Sequence, residues 1–250
     1  MAGLGKRFVD AGHNVPKPLI EIDGLPMVVQ AAKTLPPADK WIFICREEHI
    51  REYGIDQILD SHFPGANIVS VGYLTNGQAN TCLLAKEYLS PDDRLTIGAC
   101  DNAMDYDLDV FKEQLSHADA LVWTFRNNPT VLHNPKMYGW VEIDQTGKAK
   151  KISCKVPISK QPLKDHAVVG TFSFKRAETF IRCVNSMIAK DRRINNEFYM
   201  DVALDECVQL GKIVLPIVVD KYICWGTPIA VSYTHLRAHE TEADLVCRLL

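Results

Sequence analysis

The chain has 250 residues, of which 47% are hydrophobic and 24% are charged, and its formal net charge is −3. This apolar content excludes a disordered chain. No apolar run reaches the ~18 residues that a membrane span needs, and the charge balance offers no basic surface for nucleic acid. We therefore predict a globular protein with no membrane or nucleic-acid partner, and we expect a cytoplasmic location because no signal peptide is visible.

The eight cysteines form no CxxC pair and show no repeated spacing. Most lie within apolar stretches, which is typical of buried thiols and not of a zinc site. We therefore expect the cysteines to be reduced.

The first half of the chain alternates apolar stretches with amphipathic segments. Residues 3–18 are rich in glycine and proline and predict a loop, followed by a short extended segment at 19–22. Helices are expected at 26–35, 47–60, 79–89 and 108–115, and strands at 41–45, 67–71, 95–100 and 120–125. This alternation favours a mainly parallel sheet covered by helices on both faces.

The second half follows a different order. Strands are expected at 138–143, 147–154 and 168–174, helices at 175–189 and 197–210, and a last strand at 213–219. Successive strands without intervening helices are typical of antiparallel pairing. The whole pattern predicts one α/β domain over residues 1–230, with a Rossmann-like mixed sheet.

Both ends of the chain differ from the rest. Residues 231–250 resemble the translation of a transposase-type sequencing adapter, so we expect a non-native tail and assign its metal-binding residue types no function. These residues are His235, His239, Glu240 and Cys247. At the other end, a glycine-rich loop comes without the buried strand that such loops normally follow. We therefore expect that the first strand of the sheet is missing.

The first candidate site combines a glycine-rich loop with a proline-flanked lysine. Residues 3–8 read GLGKRF, and residues 16–19 read PKPL. Glycine lets the backbone approach an anion closely, so that N–H groups can bind phosphate oxygens. Arg7 and Lys17 add cationic donors that suit a polyphosphate. The alternative is a tight loop with two solvated cations.

The second candidate site is an aspartate that follows the strand predicted at 95–100. The carboxyl ends of parallel strands form the ligand-binding edge of such sheets, and carboxylate oxygens are ligands for divalent cations. Asp101 is therefore a candidate metal ligand, with a loop-capping aspartate as the alternative. We expect the nearby Asp105 and Asp107 to be solvated or to cap a helix.

The composite of GxGxRF and PKPL resembles the signature of the sugar-phosphate nucleotidyltransferases, which make nucleotide-sugars. The resemblance extends over most of residues 1–229 and is strongest to members encoded among capsule and surface-polysaccharide genes. Further shared blocks are TNGQANTCLLAKEYL at 75–89, CDN at 100–102, KVPIS at 155–159, VGTFSF at 169–174, NEFY at 196–199 and WGTP at 225–228. The resemblance implies a glycosyltransferase-A-like fold and transfer of a nucleotidyl group from an NTP to a sugar phosphate, with release of pyrophosphate.

The resemblance also implies a role for each candidate residue. Arg7 and Lys17 would be catalytic, and Asp101 would hold Mg²⁺. The residues that would bind the nucleotide are Ala2, Gly3, Gly5, Lys6 and Gln78. Those that would bind the sugar phosphate are Lys155, Gly170 and Glu197.

Ordinary structural roles remain open for three of these residues. Gln78 also suits the N-terminal segment of a helix, a role that is compatible with contact to a base. Lys155 also suits a solvated position. Glu197 also suits the first turn of a helix, where an acid interacts favourably with the helix dipole.

Two positions depart from the family pattern. Many relatives carry a glutamate that binds sugar hydroxyls directly before the lysine, whereas this chain has Cys154. Hexose-1-phosphate thymidylyltransferases carry an aspartate just before the Gly-Thr pair as a second metal ligand, whereas this chain has Cys224 and Trp225. Asp220 is a candidate replacement. The sugar and the second metal ligand are therefore left open.

Two other functions remain open. One is cytidylyl transfer onto a non-sugar phosphate such as phosphocholine. The other is a glycosyltransferase or a non-catalytic nucleotide-binding domain. A glycosyltransferase usually has a DxD metal motif, and Asp105-Tyr106-Asp107 has that spacing. The expected partners are an NTP and a phosphorylated sugar, and the family leaves a homo-oligomer open.

Overall fold

The computed structural model describes residues 5–232, without the side chain of Lys6. The strands of this range, numbered in chain order, are β1 (Glu21–Ile22), β2 (Leu25–Pro26), β3 (Ile42–Arg46), β4 (Asn67–Val71), β5 (Leu95–Ile97), β6 (Asn102–Asp105), β7 (Ala120–Phe125), β8 (Gly139–Ile143), β9 (Ala149–Cys154), β10 (His166–Phe174), β11 (Val214–Val218) and β12 (Lys221–Cys224).

The helices connect and cover these strands. They are α1 (Lys6–Asp10), α2 (Met27–Lys33), α3 (Glu47–Tyr53), α4 (Ile55–His62), α5 (Gln78–Leu83), α6 (Leu108–His117), α7 (Thr130–His133), α8 (Ala177–Ala189) and α9 (Met200–Gln209). Short 3₁₀ turns lie at Lys17–Leu19, Lys86–Tyr88 and Pro135–Met137. None of these helices is long and apolar enough to cross a membrane.

The largest sheet is mixed, as the sequence predicted. Its strand order is β11-β7-β10-β8-β9, and β5 also pairs with β10. β11 runs parallel to β7, whereas β10 is antiparallel to β5, β7 and β8. The parallel sheet expected for the first half is therefore wrong in one respect. β10 comes from the second half and lies between β5 and β7, so these two strands do not pair with each other.

Three smaller pairs complete the described strands. β3 and β4 are parallel, whereas β6 pairs antiparallel with β12 and β1 pairs antiparallel with β2. Within residues 5–232, β3 pairs only with β4 and β5 pairs only with β10. A cavity of about 1140 Å³ lies between β3 and β5.

β7 lies at the centre of the core, and all six of its residues are buried. Alternate side chains of a strand point to opposite faces of its sheet. Ala120 and Val122 pack with buried residues of α8 and α9, whereas Leu121 and Trp123 pack with α6. Helices therefore cover both faces, which confirms the predicted α/β architecture.

Several elements differ from their predictions. The helix predicted at 47–60 is split into α3 and α4 at Gly54. The helix predicted at 79–89 ends at Leu83 and is followed by a 3₁₀ turn. The loop predicted at 3–18 contains α1. β6 and β12 have no counterpart in the prediction, because strands of four residues with polar ends carry too little pattern.

Cys183 of α8 and Cys207 of α9 form a disulfide, with their Cα atoms 5.4 Å apart. The expectation that the cysteines are reduced is therefore wrong for this pair. Its members lie 24 residues apart in the chain and meet because α8 and α9 pack together in one core.

Cys45 is a free, fully buried thiol, and burial raises its pKa to about 11. Since the thiolate is the reactive form, this cysteine is inert.

Candidate active site

Lys17 and Asp101 form an ion pair between Nζ and Oδ2, although 84 residues separate them in the chain. Lys17 begins a 3₁₀ turn between two prolines, and Asp101 follows β5. Proline restricts φ, and the buried Pro18 anchors the turn, so the lysine is held over the end of the strand. Their side chains are 18% and 27% exposed, which leaves both within reach of a ligand.

Gly5 and Phe8 pack against Lys17 of this pair. Gly5 precedes α1, and a Cβ placed on it would lie 3.4 Å from the Cβ of Lys17. The ammonium of Lys17 also lies 5.2 Å from the ring centroid of the buried Phe8. Arg7 is exposed on α1. The predicted nucleotide-binding residues that fall outside the described range are Ala2, Gly3 and, for its side chain, Lys6.

The WGTP segment lies next to Asp101. The N–H of Trp225 donates to the carbonyl oxygen of Asp101 at 2.8 Å, and a Cβ on Gly226 would lie 3.5 Å from Asp101 Oδ2. Asp220 stands at the other end of β12, where its N–H donates to the Asp105 carbonyl at 2.8 Å. That strand separates Asp220 from Trp225 by roughly 15 Å. The suggestion that Asp220 replaces the second metal ligand is therefore wrong.

Asp101 suits a divalent cation that also binds the substrate. Within residues 5–232, no group of three or more His, Cys, Asp or Glu side chains is placed to hold a metal. Mg²⁺ does not need such a cage, because it keeps several waters and binds through one or two carboxylates plus substrate phosphates. The partly exposed carboxylate of Asp101 fits this mode, and its partner Lys17 is a cation that phosphate oxygens can attract.

The loop before α5 is fastened to the NEFY segment. The N–H of Phe198 donates to the carbonyl of Asn76 at 2.8 Å, and the N–H of Ala79 donates to the carbonyl of Phe198 at 2.9 Å. Between these bonds, Gly77 has a φ of 117°, and a Cβ on it would lie 2.6 Å from the nitrogen of Phe198. Only glycine tolerates both the conformation and the contact. This packing places Glu197 beside Gly77, which directly precedes Gln78, the first residue of α5.

Glu197 does not belong to a helix. The helix predicted at 197–210 begins at Met200, and Glu197 instead exchanges two backbone hydrogen bonds with Ile194, each 3.0 Å long. The alternative role as a first-turn helix acid is therefore wrong. Its side chain is exposed, which suits a ligand contact.

Lys155 is held by an aromatic ring. Its backbone has a left-handed φ of 59°, and its N–H donates to the Tyr138 carbonyl at 3.1 Å. The Nζ donates to the hydroxyl of Tyr199 at 2.6 Å and lies 4.4 Å from the ring centroid. The alternative of a freely solvated lysine is therefore wrong. Tyr199 also interacts with Glu197, which joins Lys155 to that acid.

Gly170 lies in an irregular part of β10 beside the CDN segment. The register with β7 shifts between Val168 and Phe172, and Gly170 has a φ of 98°. A Cβ on it would lie 3.5 Å from Asn102 Nδ2 and 3.7 Å from the Cβ of Ala99. The Asn102 amide donates to the Val169 carbonyl at 3.1 Å, which fixes this approach. Gly170 therefore adjoins Ala99 and Asn102, which flank Cys100 and Asp101 in the chain.

The cavity between β3 and β5 extends to these residues. Its lining includes Gln78, Asp101 and Glu197, which the sequence assigned from three separate motifs. Its volume of about 1140 Å³ slightly exceeds the roughly 300–1,000 Å³ of small-molecule pockets. A nucleotide is a ligand of suitable size for this space.

Asp107 is the N-cap of α6. Its Oδ1 accepts the N–H groups of Asp109 at 2.8 Å and Val110 at 3.0 Å. This confirms the capping role among the two expected for it. The carboxylate is thus occupied by the helix, which disfavours the Asp105-Tyr106-Asp107 metal motif of a glycosyltransferase.

Residues 1–201 match the nucleotidyl transferase family. The chain belongs to this family. No curated protein matches it significantly.

Solved structures share the fold of this nucleotidyl transferase. A nucleoside-diphosphate-sugar pyrophosphorylase from Vibrio cholerae RC9 is 21% identical, with a TM-score of 0.75 and coverage of 94% of this chain and 97% of that one. An inositol-1-phosphate CTP transferase from T. maritima is 15% identical, with a TM-score of 0.73 and coverage of 95% and 92%. HddC from Yersinia pseudotuberculosis, solved in complex with GMP-PN, is 15% identical, with a TM-score of 0.59 and coverage of 90% and 91%. At these identities the likeness shows the fold.

Sequence reasoning about this nucleotidyl transferase missed three residues next to the site. Phe198 receives the Gly77 loop, Tyr199 holds Lys155, and Trp225 lies against Asp101. All three stand inside the NEFY and WGTP blocks, so the signal was present. The sequence could not show which residue each of them contacts, because each contact partner lies at least 40 positions away in the chain.

Proposed function

We propose that this nucleotidyl transferase transfers the nucleotidyl group of an NTP to a sugar 1-phosphate and releases pyrophosphate. The observation that carries the proposal is the Lys17–Asp101 pair beside a cavity that Gln78 and Glu197 also line. A cation next to a carboxylate suits a triphosphate with its divalent metal. Glu197, which is exposed, and Gln78, whose amide is proposed to bind the base, line this same cavity.

The reaction is an in-line displacement at the α-phosphorus. An oxygen of the acceptor phosphate forms a new bond to that phosphorus, while the bond to the oxygen that bridges to the β-phosphate breaks. Pyrophosphate leaves with the electron pair of the broken bond. The attacking phosphate is already ionised near neutral pH, so no general base is needed. Positioning and charge neutralisation then supply the catalysis.

The N-terminal part of the site serves the triphosphate. Lys17 and Arg7 neutralise its charge, and the loop of Ala2, Gly3, Gly5 and Lys6 offers backbone N–H groups to phosphate oxygens. Asp101 would hold Mg²⁺, which when bound neutralises charge on the phosphate oxygens.

The remaining residues serve the base and the acceptor. Gln78 carries both a donor and an acceptor group, which reading a base edge requires. Lys155 aims the attacking phosphate, whereas Gly170 and Glu197 adjoin the sugar. The resemblance to capsule-type relatives supports a cytoplasmic supply of nucleotide-sugar for a surface polysaccharide.

A pyrophosphate-release assay tests the proposal. Each of the four NTPs is combined with a panel of sugar 1-phosphates, inositol 1-phosphate and phosphocholine, in the presence of Mg²⁺. We expect release that requires one NTP together with a sugar 1-phosphate. Release with phosphocholine alone would instead establish a transferase for non-sugar phosphates. Nucleotide binding without release in any combination would establish a non-catalytic domain.

A further inference from the structure

Asp201, in the first turn of α9, lies against the paired strands β8 and β9. A Cβ placed on Gly139 would lie 2.7 Å from Cγ, Oδ1 and Oδ2 of Asp201, so the carboxyl group rests flat on the backbone of β8. Gly139 is directly opposite Cys154 in the strand register. The Cys154 thiol, in turn, donates a hydrogen bond to Asp201. The carboxylate is thus fixed at the end of β9, immediately before Lys155.

Asp205, one helical turn further along, has an ion-pair partner, whereas Asp201 has none among the described residues. Asp205 Oδ1 accepts the N–H of Ile152 at 2.9 Å, and its Oδ2 pairs with Arg192 at 2.6 Å. The two aspartates are four residues apart on α9 and meet residues two apart on β9. Among the ion pairs of residues 5–232, Asp205 has a partner and Asp201 has none. The cation that interacts with Asp201 is Lys155.

The titratable groups that interact with Asp201 and Lys155 come from β9 and its end and from the segment before α9. From the strand side, Cys154 and Lys155 face Asp201, and from the segment before α9, Glu197 and Tyr199 lie around Lys155. Burial and the neighbouring Asp201 both raise the pKa of the Cys154 thiol, so it stays neutral. The family's glutamate is therefore replaced by an uncharged donor, and the carboxylate at this turn comes from the helix instead.

We propose that Asp201 is a positioning residue for the acceptor phosphate, which acts by giving Lys155 a fixed counter-charge behind the turn at 154–155. This inference rests on the proposed function. The left-handed backbone of Lys155 and its contact with Tyr199 hold the lysine in one place, and a counter-charge behind the turn strengthens that hold. A fixed cation in that place directs a phosphate oxygen better than a mobile one does.

The ionisation of Asp201 gives the position a pH dependence. Burial raises its pKa to about 6, against the opposing effects of the Cys154 hydrogen bond and of Lys155. The carboxylate is charged at pH 8 and supports Lys155 there. As the pH falls through about 6 the group takes up a proton, and the support is lost.

A double-mutant cycle tests whether Asp201 acts through Lys155. The variants are Asp201→Asn, which keeps the shape, Lys155→Met, and the two combined. At pH 8 we expect Asp201→Asn to raise KM for the sugar phosphate about tenfold and to leave KM for the NTP within about twofold. In the Lys155→Met background, the same substitution should change KM by less than about twofold. An equal effect in both backgrounds overturns the proposal.

The pH profile separates this role from a structural one. The ratio of kcat/KM between wild type and Asp201→Asn cancels the titration of the substrate's own phosphate. We expect this ratio to fall from about ten at pH 8 to about one at pH 5, because a protonated aspartate resembles asparagine. A ratio that stays constant with pH overturns the proposal. If the wild-type protein releases no pyrophosphate with any combination of NTP and sugar 1-phosphate, the proposed function is overturned as well.

Asp205→Asn is the matched control, since Asp205 meets the same strand from the same helix. We expect it to lower Tm, because it leaves Arg192 without one of its carboxylate partners. Its kcat/KM ratio to wild type should show no step near pH 6. A step of the same size as that of Asp201→Asn would assign the pH dependence to the helix as a whole and overturn the proposal.

Discussion

Lys17 of the proline-flanked turn and Asp101, which directly precedes β6, form an ion pair. A triphosphate with its divalent cation offers each of them a stronger partner, since phosphate oxygens attract Lys17 and the metal attracts Asp101. Binding would therefore replace one ion pair with two interactions to the ligand. The pairing explains how a lysine and a carboxylate from distant motifs are held at a single site.

Lys17→Ala is expected to lower kcat/KM for the NTP by about a hundredfold or more, at about 1.4 kcal/mol per tenfold. The physical reason is that the variant loses a cation, on a side chain 18% exposed, beside the proposed triphosphate site. Steady-state pyrophosphate release measures the effect. Lys33→Ala, at an exposed position on α2, serves as the control and should match wild type. Near-wild-type release by Lys17→Ala would refute a role for Lys17 in phosphate binding.

Asp101→Asn is expected to raise the Mg²⁺ concentration for half-maximal activity by about tenfold or more, because an amide oxygen binds the cation more weakly. The measurement is activity as a function of added Mg²⁺ after treatment with EDTA. Asp105→Asn is the control, since Asp105 is exposed at the far end of β6. An unchanged Mg²⁺ dependence in Asp101→Asn would place the metal elsewhere.

Gly77→Ala tests whether the loop before α5 must dock on Phe198. The added Cβ would lie 2.6 Å from the nitrogen and 2.8 Å from the oxygen of Phe198 at a φ of 117°. We expect kcat/KM to fall by about tenfold or more for both substrates, because Gln78 and Glu197 move apart.

Gly147→Ala controls for backbone strain in that experiment. Gly147 has a φ of 83° in the turn between β8 and β9, with nothing within 4 Å of its added Cβ. Strain alone should cost about 1 kcal/mol of the free energy of unfolding and leave kcat/KM unchanged. Equal activity losses in the two variants would show that strain, not docking, is responsible.

Glu206 is expected to stabilise the fold in a pH-dependent way. It is fully buried and accepts hydrogen bonds from Ser186 and Arg192, and it also pairs with Lys190. Burial alone would raise its pKa, but these donors outweigh burial and lower the pKa to about 2. A depressed pKa means that the stabilisation is present above about pH 4.5 and is lost as the pH falls towards 2.

Glu206→Gln should accordingly lower the free energy of unfolding at pH 7 by roughly 1–3 kcal/mol, because it removes the buried carboxylate that accepts from Lys190 and Arg192, while Arg192 keeps Asp205 as a partner. Chemical denaturation at pH 7 and at pH 3 measures this. The difference between wild type and variant should shrink at pH 3. A difference that is the same at both pH values would contradict the ion-pair explanation.

Local pattern was sufficient for much of the fold. The strands at 67–71 and 120–125 have the predicted bounds, because each is a continuous apolar or alternating run between turn residues. The mixed sheet with helices on both faces followed from the order of such runs. Candidate motifs that lie within a few neighbouring residues, such as GLGKRF and PKPL, were also found from the sequence alone, and their chemistry stays a prediction.

Tertiary structure decided what depends on distant residues. It inserted β10 between β5 and β7, paired Lys17 with Asp101, and set Trp225 in place of Asp220 beside that aspartate. It also placed Asp201 against Gly139 and Cys154. A sequence pattern reports the periodicity of one segment, whereas these contacts depend on how separate segments pack. That packing determines which carboxylate faces which cation, and hence the architecture of the site.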